Sequence, residues 1–314
     1  SVEDRKELEN FCDYLIKMGD GSLKTDDTGA IPISKRFLLP PNDPQGLLEW
    51  VYGDRPEPLP VFGSCSIHIY NKLREKNIEY YSDKAILCPK NVDVDQLNEQ
   101  ILKTLPGEEN VYLSADEIPR GDAEGLYVTT EFLNSVNLSG LPPHLLTIKV
   151  GCVMMLLRNL NPKIGLCNGT RILIISMTRR VLRGVILTGS HQKRVCIIPR
   201  VTLIPSNNPF PFKFARRQFP VRHAYVMTIN KSQGQTFRRT GLLLPDSCFA
   251  HGQLYVAFSR CGYPPNDKDH TGLKVVVYDT PIQGQKKSDG GIRTNDIEGI
   301  TTQNIVLKEI FKQC

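Results

Sequence analysis

Apolar residues near the start of the chain recur at the spacing of an amphipathic helix. Between Glu3 and Met18 they fall every three or four positions, and Gly19-Asp20-Gly21 follows as a stop. The pattern predicts a helix over 3–18 and, after it, a loop region over 19–47 that is rich in Gly, Pro and Asp. The apolar positions of the helix are Leu8, Phe11, Cys12, Leu15 and Ile16.

A strand followed by a helix is predicted further along the chain. Residues 84–89 form a short apolar run typical of a buried strand, and Asp93 begins a helical repeat with Gln96 placed as in a capping box. Strand, turn and helix in this order are the unit of a parallel α/β sheet. The pattern returns later, with strands predicted at 224–229, 241–244 and 273–278 and a helix at 247–260. The apolar positions after Asp93 are Val94, Leu97, Ile101, Leu102 and Leu105.

The region between these two α/β parts has a different pattern. From Thr147 onwards, short apolar stretches are separated by turn residues such as Asn168-Gly169 and Thr188-Gly189-Ser190. This predicts a small antiparallel barrel or sandwich inserted into an α/β domain. After the last strand, 283–295 is predicted to be a polar mobile loop and 305–311 a closing element. The apolar stretches of the β module are 150–157, 171–175, 181–187, 195–198 and 201–204.

Length and composition narrow the class of protein. The 314 residues are enough for two domains, or for one domain with a substantial insertion, and the 40% hydrophobic share is ordinary for a globular protein. No run of eighteen apolar residues occurs and Ser1–Lys6 lacks the apolar core of a signal peptide, so we expect neither a membrane span nor secretion. The nine cysteines form no CxxC pair, which indicates reduced thiols. Cys65 and His68 have metal-ligand spacing without a second pair, so no metal site is expected.

Charge is distributed very unevenly along the chain. From Phe132 to Pro245 there is no Asp or Glu, although the stretch holds seventeen Lys and Arg. The other 200 residues hold the remaining 22 basic residues and all 33 acidic ones. A region of charge +17 beside one of −11 favours a polyanionic partner such as nucleic acid. The alternative is a solvated basic face paired with acids from other segments.

A polar loop follows the strand predicted at 224–229. In parallel α/β sheets ligands bind beyond the carboxyl ends of the strands, so the position suits a site. Gly234 can bring the main chain close to a phosphate, and Lys231 offers a cationic donor. The neutral donors are Ser232, Gln233 and Thr236. The alternative is that Lys231-Ser-Gln-Gly-Gln235 is an ordinary hydrophilic turn.

A second segment, His251-Gly-Gln-Leu-Tyr-Val-Ala-Phe-Ser-Arg260, predicts a helix that ends in an arginine. A guanidinium fixed at the end of a helix can stabilise charge on a transferred phosphoryl group. A terminal arginine can also simply complement the helix dipole. This segment alone therefore leaves both roles for Arg260 open.

Taken in order, these segments resemble superfamily-one helicases of the PIF (petite integration frequency) and RecD-type branch. Residues 228–236 are similar to the fifth helicase motif, Tyr255–Arg260 to the sixth, and 84–91 followed by Leu97-Asn98 to the fourth. The helicases carried by Helitron transposons are the most similar members. Further matching segments are 140–143, 149–159, 166–170 and 217–220.

The resemblance implies a fold of RecA-like, P-loop-NTPase type, the second motor domain, with an inserted Src-homology-3-like barrel. It divides the chain into an N-terminal region at 1–80, the motor domain at 81–149 and 219–282, the barrel at 150–218 and a tail at 283–314. It implies ATP hydrolysis with Mg²⁺, and five-prime to three-prime movement on single-stranded DNA with unwinding of duplex DNA.

The same resemblance implies roles for individual residues. Arg260 would be a catalytic arginine finger on the γ-phosphate, with Gln233 and Gly234 near the nucleotide. Many family members have His where this chain has Asn230, so base stacking at that position is not expected. The positions implied to contact DNA are Thr228, Asn230, Lys231, Ser232, Thr236, Arg158 and Asn168.

No GxxxxGK[ST] phosphate loop occurs in the sequence. Val111–Glu117 looks like a Walker B strand, but it lies after the fourth motif, where the family has a loop, so we reject that interpretation. We expect the chain alone to be inactive, with ATP and Mg²⁺ held mainly by an N-terminal RecA-like motor domain outside it. The alternative is a non-catalytic nucleic-acid-binding module. The resemblance implies a nuclear protein, and leaves transposition, repair, recombination and telomere maintenance open.

Overall fold

The computed structural model describes residues 2–25, 30–119, 128–205, 207–246, 248, 250, 252–262, 272–278 and 301–303. The α-helices are α1 Val2–Gly19, α2 Pro44–Tyr52, α3 Ile67–Ser82, α4 Asn91–Thr104, α5 Thr130–Ser135 and α6 Gln253–Ser259. Short 3-10 helices cover Lys35–Phe37, Pro162–Ile164 and Ile229–Ser232. None of the described helices is long and apolar enough to span a bilayer.

The strands of the described residues fall into five sheets. They are β1 Ala30–Pro32, β2 Lys84–Cys88, β3 Asn110–Leu113, β4 Ala115–Glu117, β5 Leu145–Ile148, β6 Val153–Leu156, β7 Arg171–Met177, β8 Val181–Ile186, β9 Val195–Pro199, β10 Val201–Leu203, β11 Ala215–Gln218, β12 Val221–His223, β13 Val226–Thr228, β14 Arg239–Leu244, β15 Gly272–Val277 and β16 Thr301–Gln303. The chain divides into two compact units. Unit 1 consists of 1–55, 83–97 and 226–314, and unit 2 of 56–82 and 98–225.

Unit 1 is built on a parallel sheet in the order β13-β2-β14-β15. All three neighbouring pairs are parallel, and every residue of β2 and β14 is buried. Such strands are covered on both faces, so their sequences are continuous apolar runs rather than alternating ones. The parallel α/β pattern predicted for this part of the chain is confirmed.

Helix α1 forms where it was predicted, but its buried face is different. Phe11 and Met18 are buried, whereas Leu8 is 43% and Ile16 63% exposed. The helix packs on aromatic rings, with Phe11 and Tyr14 each 5.9 Å from the ring of Phe37. The predicted stripe was therefore right at Phe11 and Leu15, which pack on the core, and wrong at Leu8, Cys12 and Ile16, because the position of the partner rings selects the face that is buried.

Helices α4 and α6 differ from the predictions mainly at their ends. Helix α4 begins at Asn91, two residues before the predicted start at Asp93, and all five of its predicted apolar positions are buried. Helix α6 covers only Gln253–Ser259, and its cap residue Gly252 has a positive φ of 65°. The predicted start near Ser247 lies outside the described residues. The predicted tail elements at 283–295 and 305–311 lie outside them as well.

Unit 2 contains an antiparallel sheet in the order β12-β6-β7-β8-β9. Four of the predicted apolar stretches form β6, β7, β8 and β9, so the antiparallel character of the module is confirmed. The fifth stretch forms β10, which instead joins β11 and β4 in a separate three-stranded sheet. Closure of these strands into a Src-homology-3-like barrel remains a prediction.

The segment that resembles a Walker B strand lies in unit 2 as two short strands. Strand β3 pairs antiparallel with β5, and β4 pairs antiparallel with β11. The expected loop was wrong here, because both halves of the segment find strand partners. Neither strand belongs to the parallel sheet, which agrees with rejecting a Walker B role. The predicted insertion at 150–218 lies within unit 2, which also takes in 98–149.

Candidate nucleotide and nucleic-acid site

The polar loop leaves the carboxyl end of β13 as a 3-10 turn, Ile229–Ser232. Ser232 is fully buried, and its hydroxyl donates a 2.6 Å hydrogen bond to the carbonyl of Ile229. The backbone N–H of Gln235 then donates to the carbonyl of Ser232 at 3.0 Å. Ser232, one of the residues predicted to contact DNA, therefore holds the turn together from inside.

Gly234 gives the loop its shape. Its φ is +78°, in the left-handed region that favours glycine, and a Cβ built on it would meet no atom within 4 Å. Gln233 and Gly234 are both exposed. The backbone here faces open space, so a phosphate oxygen could approach the main chain of the loop.

The end of α6 is bonded to this loop. The Nη1 of Arg260 donates to the carbonyl of Gln235 at 3.1 Å, and its Nε donates to the carbonyl of Val256 at 3.1 Å. Its Nη2 donates to the Ser259 hydroxyl at 3.0 Å. In the opposite direction, the N–H of Phe237 donates to the Arg260 carbonyl at 2.9 Å. The two segments that the sequence singled out separately therefore form one structure.

These bonds fix the guanidinium without using all of its donors. A guanidinium has five N–H groups, and three of those of Arg260 have protein acceptors among the described residues. The side chain is half-buried, so it is both held and reachable from solvent. Two N–H groups thus remain to bond the oxygens of an anion such as a phosphate.

The remaining predicted DNA contacts fall into two groups. In unit 1, Asn230, Lys231 and Thr236 are exposed on the loop, and Thr228 is half-buried at the end of β13. In unit 2, an Nη of Arg158 donates to the Ile204 carbonyl at 3.2 Å. The main chain of Asn168 donates to the side-chain oxygen of Asn159 at 2.8 Å, which leaves the Asn168 side chain exposed.

Part of the basic stretch is paired with acids from outside it. Among the described residues, at least four of its seventeen cations form ion pairs of this kind, so for these four the predicted pairing with acids from other segments is confirmed. Arg216 is buried, and it is a structural residue rather than part of a polyanion surface. The four pairs are Lys149–Glu109 at 3.4 Å, Lys193–Glu75 at 3.2 Å, Arg216–Asp116 at 2.8 Å and Arg239–Asp54 at 2.9 Å.

A charged group also closes the amino end of β2. Lys84 donates to Asp54 at 2.7 Å, and Arg239 donates to the same carboxylate at 2.9 Å. Burial and, to a smaller extent, nearby Arg239 lower the pKa of Lys84 to about 8, against the hydrogen bond and the attraction of Asp54. Burial opposes ionisation of Asp54, but the two cations outweigh it and lower the pKa of that carboxyl. The cluster lies at the amino ends of the strands, away from the loop.

Sequence reasoning missed one residue that organises unit 2. Arg216 forms two hydrogen bonds with Asp116, and its other N–H groups reach the carbonyls of Leu133, Val136 and Pro142. No sequence signal separates the adjacent Arg216 and Arg217, of which the structure buries the first and exposes the second. An inward arginine needs a distant partner, and one sequence does not reveal that partner.

Together, the parallel sheet, the strand-end loop and the helix-end arginine form an α/β domain with a candidate phosphate-binding site. The family model described as "DNA helicase Pif1, 2B domain" matches residues 131–177, which begin in α5 and end with β7. The ATP-dependent DNA helicase PIF1 of Rattus norvegicus is 28% identical over 227 residues, covering 70% of this chain and 32% of that protein. The corresponding protein of Danio rerio is 29% identical over 199 residues, covering 62% of this chain and 28% of that protein.

The fold is similar to that of a solved member of the same group. The crystal structure of Pif1 helicase from Candida albicans matches with a TM-score of 0.51 at 21% identity, covering 86% of this chain and 54% of that one. The chain is therefore similar to helicases of the PIF1 family in part of its sequence and in its fold. It spans about a third of the length of the curated relatives it matches.

Proposed function

We propose that the chain is the C-terminal, DNA-contacting and γ-phosphate-sensing half of an ATP-dependent DNA helicase that moves five-prime to three-prime on single-stranded DNA. The observation that carries the proposal is the bonding of Arg260 to the Gln235 carbonyl. It ties a cation suited to a phosphate to a loop suited to a nucleic-acid backbone. The curated relatives are named ATP-dependent DNA helicases, which supports the same activity.

Each residue of the site has a defined part in this proposal. Arg260 offers its two remaining N–H groups to the γ-phosphate, where charge on the transferred group is stabilised. Gln233 and the main chain at Gly234 lie beside the nucleotide, and Lys231 contacts the DNA backbone. Mg²⁺ bound with ATP neutralises phosphate charge, and we assign its ligands and the phosphate loop to a motor domain N-terminal to this chain.

The test compares Arg260→Ala and Arg260→Lys in a protein that joins this chain to that motor domain. Loss of the arginine finger should reduce the ATPase kcat by about a thousandfold, because the charge on the transferred phosphoryl group is no longer stabilised. Lys keeps the charge but cannot keep the three bonds that fix the guanidinium, so it should not rescue turnover. Affinity for single-stranded DNA should stay unchanged in both variants. Normal turnover in Arg260→Ala would refute the assignment.

A second candidate is a nucleic-acid-binding module without ATPase activity, favoured by the lack of a GxxxxGK[ST] segment in this sequence. Both candidates predict that the 314-residue chain alone binds DNA and does not hydrolyse ATP. They differ in the gene upstream: an in-frame phosphate-loop domain supports the helicase, whereas an intervening stop codon supports the binding module. We extend the proposal to a nuclear location, which imaging of the tagged protein would test.

A further inference from the structure

We propose that a basic groove in unit 2, away from the residues assigned above, binds the phosphate backbone of single-stranded DNA. The groove has a volume of about 1200 Å³ and is lined by parts of β3, by the turn between β7 and β8, and by Arg200 and Arg217. We call it the arginine groove. The proposed binding to this groove rests on the proposed function only for the choice of DNA as the polyanion.

Among the described residues that line it, the groove carries four arginines and no acidic side chain. Arg179 and Arg180 come from the β7–β8 turn, Arg200 follows β9, and Arg217 lies on β11. None of the four has an ion pair in the described part of the chain, in contrast to Arg216 and Arg239. Four guanidinium groups without counter-charges attract a polyanion and gain affinity by releasing its counterions.

The turn that carries two of these arginines is tightly bonded. The N–H of Thr178 donates to the Val181 carbonyl at 2.9 Å, and its hydroxyl accepts from the N–H of Val181 at 3.1 Å. The same hydroxyl accepts from the N–H of Arg180 at 3.4 Å. Arg179 and Arg180 are therefore exposed on a fixed backbone, which lowers the entropy cost of placing them against phosphates.

Arg200 is fixed more firmly still. Its Nη1 donates to the Leu113 carbonyl at 2.8 Å, and its guanidinium lies 5.5 Å from the ring centre of Tyr112 and 5.0 Å from that of Phe219. Stacking on aromatic faces holds the planar group in one orientation. Its Nε is buried, so the N–H groups of its Nη atoms that have no protein acceptor among the described residues are the ones that can bond an oxygen in the groove.

The same groove has an apolar side. Val111 and Leu113 of β3 line the groove and are 54% and 56% exposed. Outside the lining, on β5, Leu145 pairs with Leu113 and is 56% exposed. Apolar side chains beside a row of cations suit a single strand, whose sugars and bases pack on one side while its phosphates face the arginines. A duplex would present phosphates alone, so the mixed surface favours single-stranded DNA.

The test measures binding of the full 314-residue chain to a fluorescently labelled mixed-sequence oligonucleotide of roughly 20 nucleotides by anisotropy at several salt concentrations. The groove variant is Arg179→Gln with Arg180→Gln. Losing two phosphate contacts should reduce the salt slope by roughly 1.4 and weaken binding at least tenfold at about 0.1 M salt. The control is Lys163→Gln with Arg194→Gln, which removes the same charge from exposed positions of the acid-free stretch outside the groove.

Two results would overturn the arginine groove. If the groove and control variants weaken DNA binding equally, the overall positive charge of the acid-free stretch and not the groove is responsible for the binding. Polyglutamate serves as a model of an acidic protein segment. If the groove variant loses affinity for polyglutamate but keeps its affinity for DNA, the groove is assigned to an acidic protein segment. If the double variant has a lower melting temperature than the parent chain, it is replaced by Arg217→Gln, which lies on a different strand.

Lys231→Gln, measured in parallel, separates this proposal from the proposed function. If Lys231→Gln weakens binding and the groove variants do not, the groove proposal fails and the helicase assignment stands. If the groove variants weaken binding and Lys231→Gln does not, the groove is supported and the loop assignment fails. If the parent chain itself does not bind DNA, both proposals fail.

Discussion

The carboxylate of Asp116 accepts two hydrogen bonds from the guanidinium of Arg216, at 2.9 and 2.8 Å, across one hundred positions of sequence. Both side chains are fully buried, and Ser114 and the ring of His144 complete the surroundings of the carboxylate. The remaining bonds of Arg216 hold carbonyls between Leu133 and Pro142, where the match to the Pif1 2B domain begins. This ion pair therefore joins the segment before the β module to its three-stranded sheet.

Asp116→Asn should destabilise the chain by about 3 kcal/mol or more, because it leaves the buried Arg216 cation without a counter-charge. Urea unfolding followed by circular dichroism measures the loss. Glu117→Gln is the matched control, since the neighbouring carboxylate is exposed and its loss should cost less than about 0.5 kcal/mol. Equal effects of the two substitutions would show that the pair does not hold unit 2 together.

We expect His223 to make the free energy of unfolding depend on pH. Its Nε2 lies 2.8 Å from the Thr147 carbonyl, and burial lowers the pKa of the ring to about 4. The folded ring stays neutral between pH 6.5 and 4 while the unfolded one takes a proton. The free energy of unfolding should therefore decrease as the pH is lowered from 6.5 to 4, by at most about 3 kcal/mol.

His223→Gln tests this origin of the pH dependence. The Gln amide can still donate to the Thr147 carbonyl, but it does not titrate. Melting temperatures measured from pH 7 to pH 4 should therefore fall less steeply in the variant than in the parent. A difference between variant and parent that stays constant over this range would argue against His223 as the source.

Gly234→Ala should affect DNA binding more than stability. The alanine has room, but a φ of +78° costs a residue with a Cβ about 1 kcal/mol, so the loop should relax away from its observed shape. Gly189→Ala is the control, because its φ is +82°, its surroundings are equally open and it lies in the β8–β9 turn. We expect similar melting temperatures but weaker DNA binding for Gly234→Ala alone. Equal DNA affinities would remove the loop from the binding site.

Asp54→Asn should destabilise unit 1 at neutral pH, because Lys84 and Arg239 then face each other without their shared counter-charge. Since the pKa of Lys84 is already lowered to about 8, the folded chain loses this proton before the unfolded one does. Stability should therefore recover in the variant as the pH rises from 8 towards 10, where Lys84 is neutral. Unfolding midpoints at pH 7 and pH 9.5 measure the recovery, and an equal loss at both would contradict it.

The sequence by itself determined the parallel sheet, the antiparallel module and the two segments of the candidate site. Strands such as 84–88 and 239–244 are buried on both faces, so their signal depends on their own side chains and not on a particular partner. The loop at 228–236 can be predicted from its glycine and from its position after a strand. These features are local, and local patterns are visible in one sequence.

Only the tertiary structure decided which charges are structural and how the site is assembled. Arg216 and Arg217 are chemically identical neighbours, yet one is buried against Asp116 and the other lines an open groove. The bond from Arg260 to Gln235 likewise joins residues from different elements. A charge can be buried only where a distant residue compensates it, and the chain reveals that residue only once it is folded.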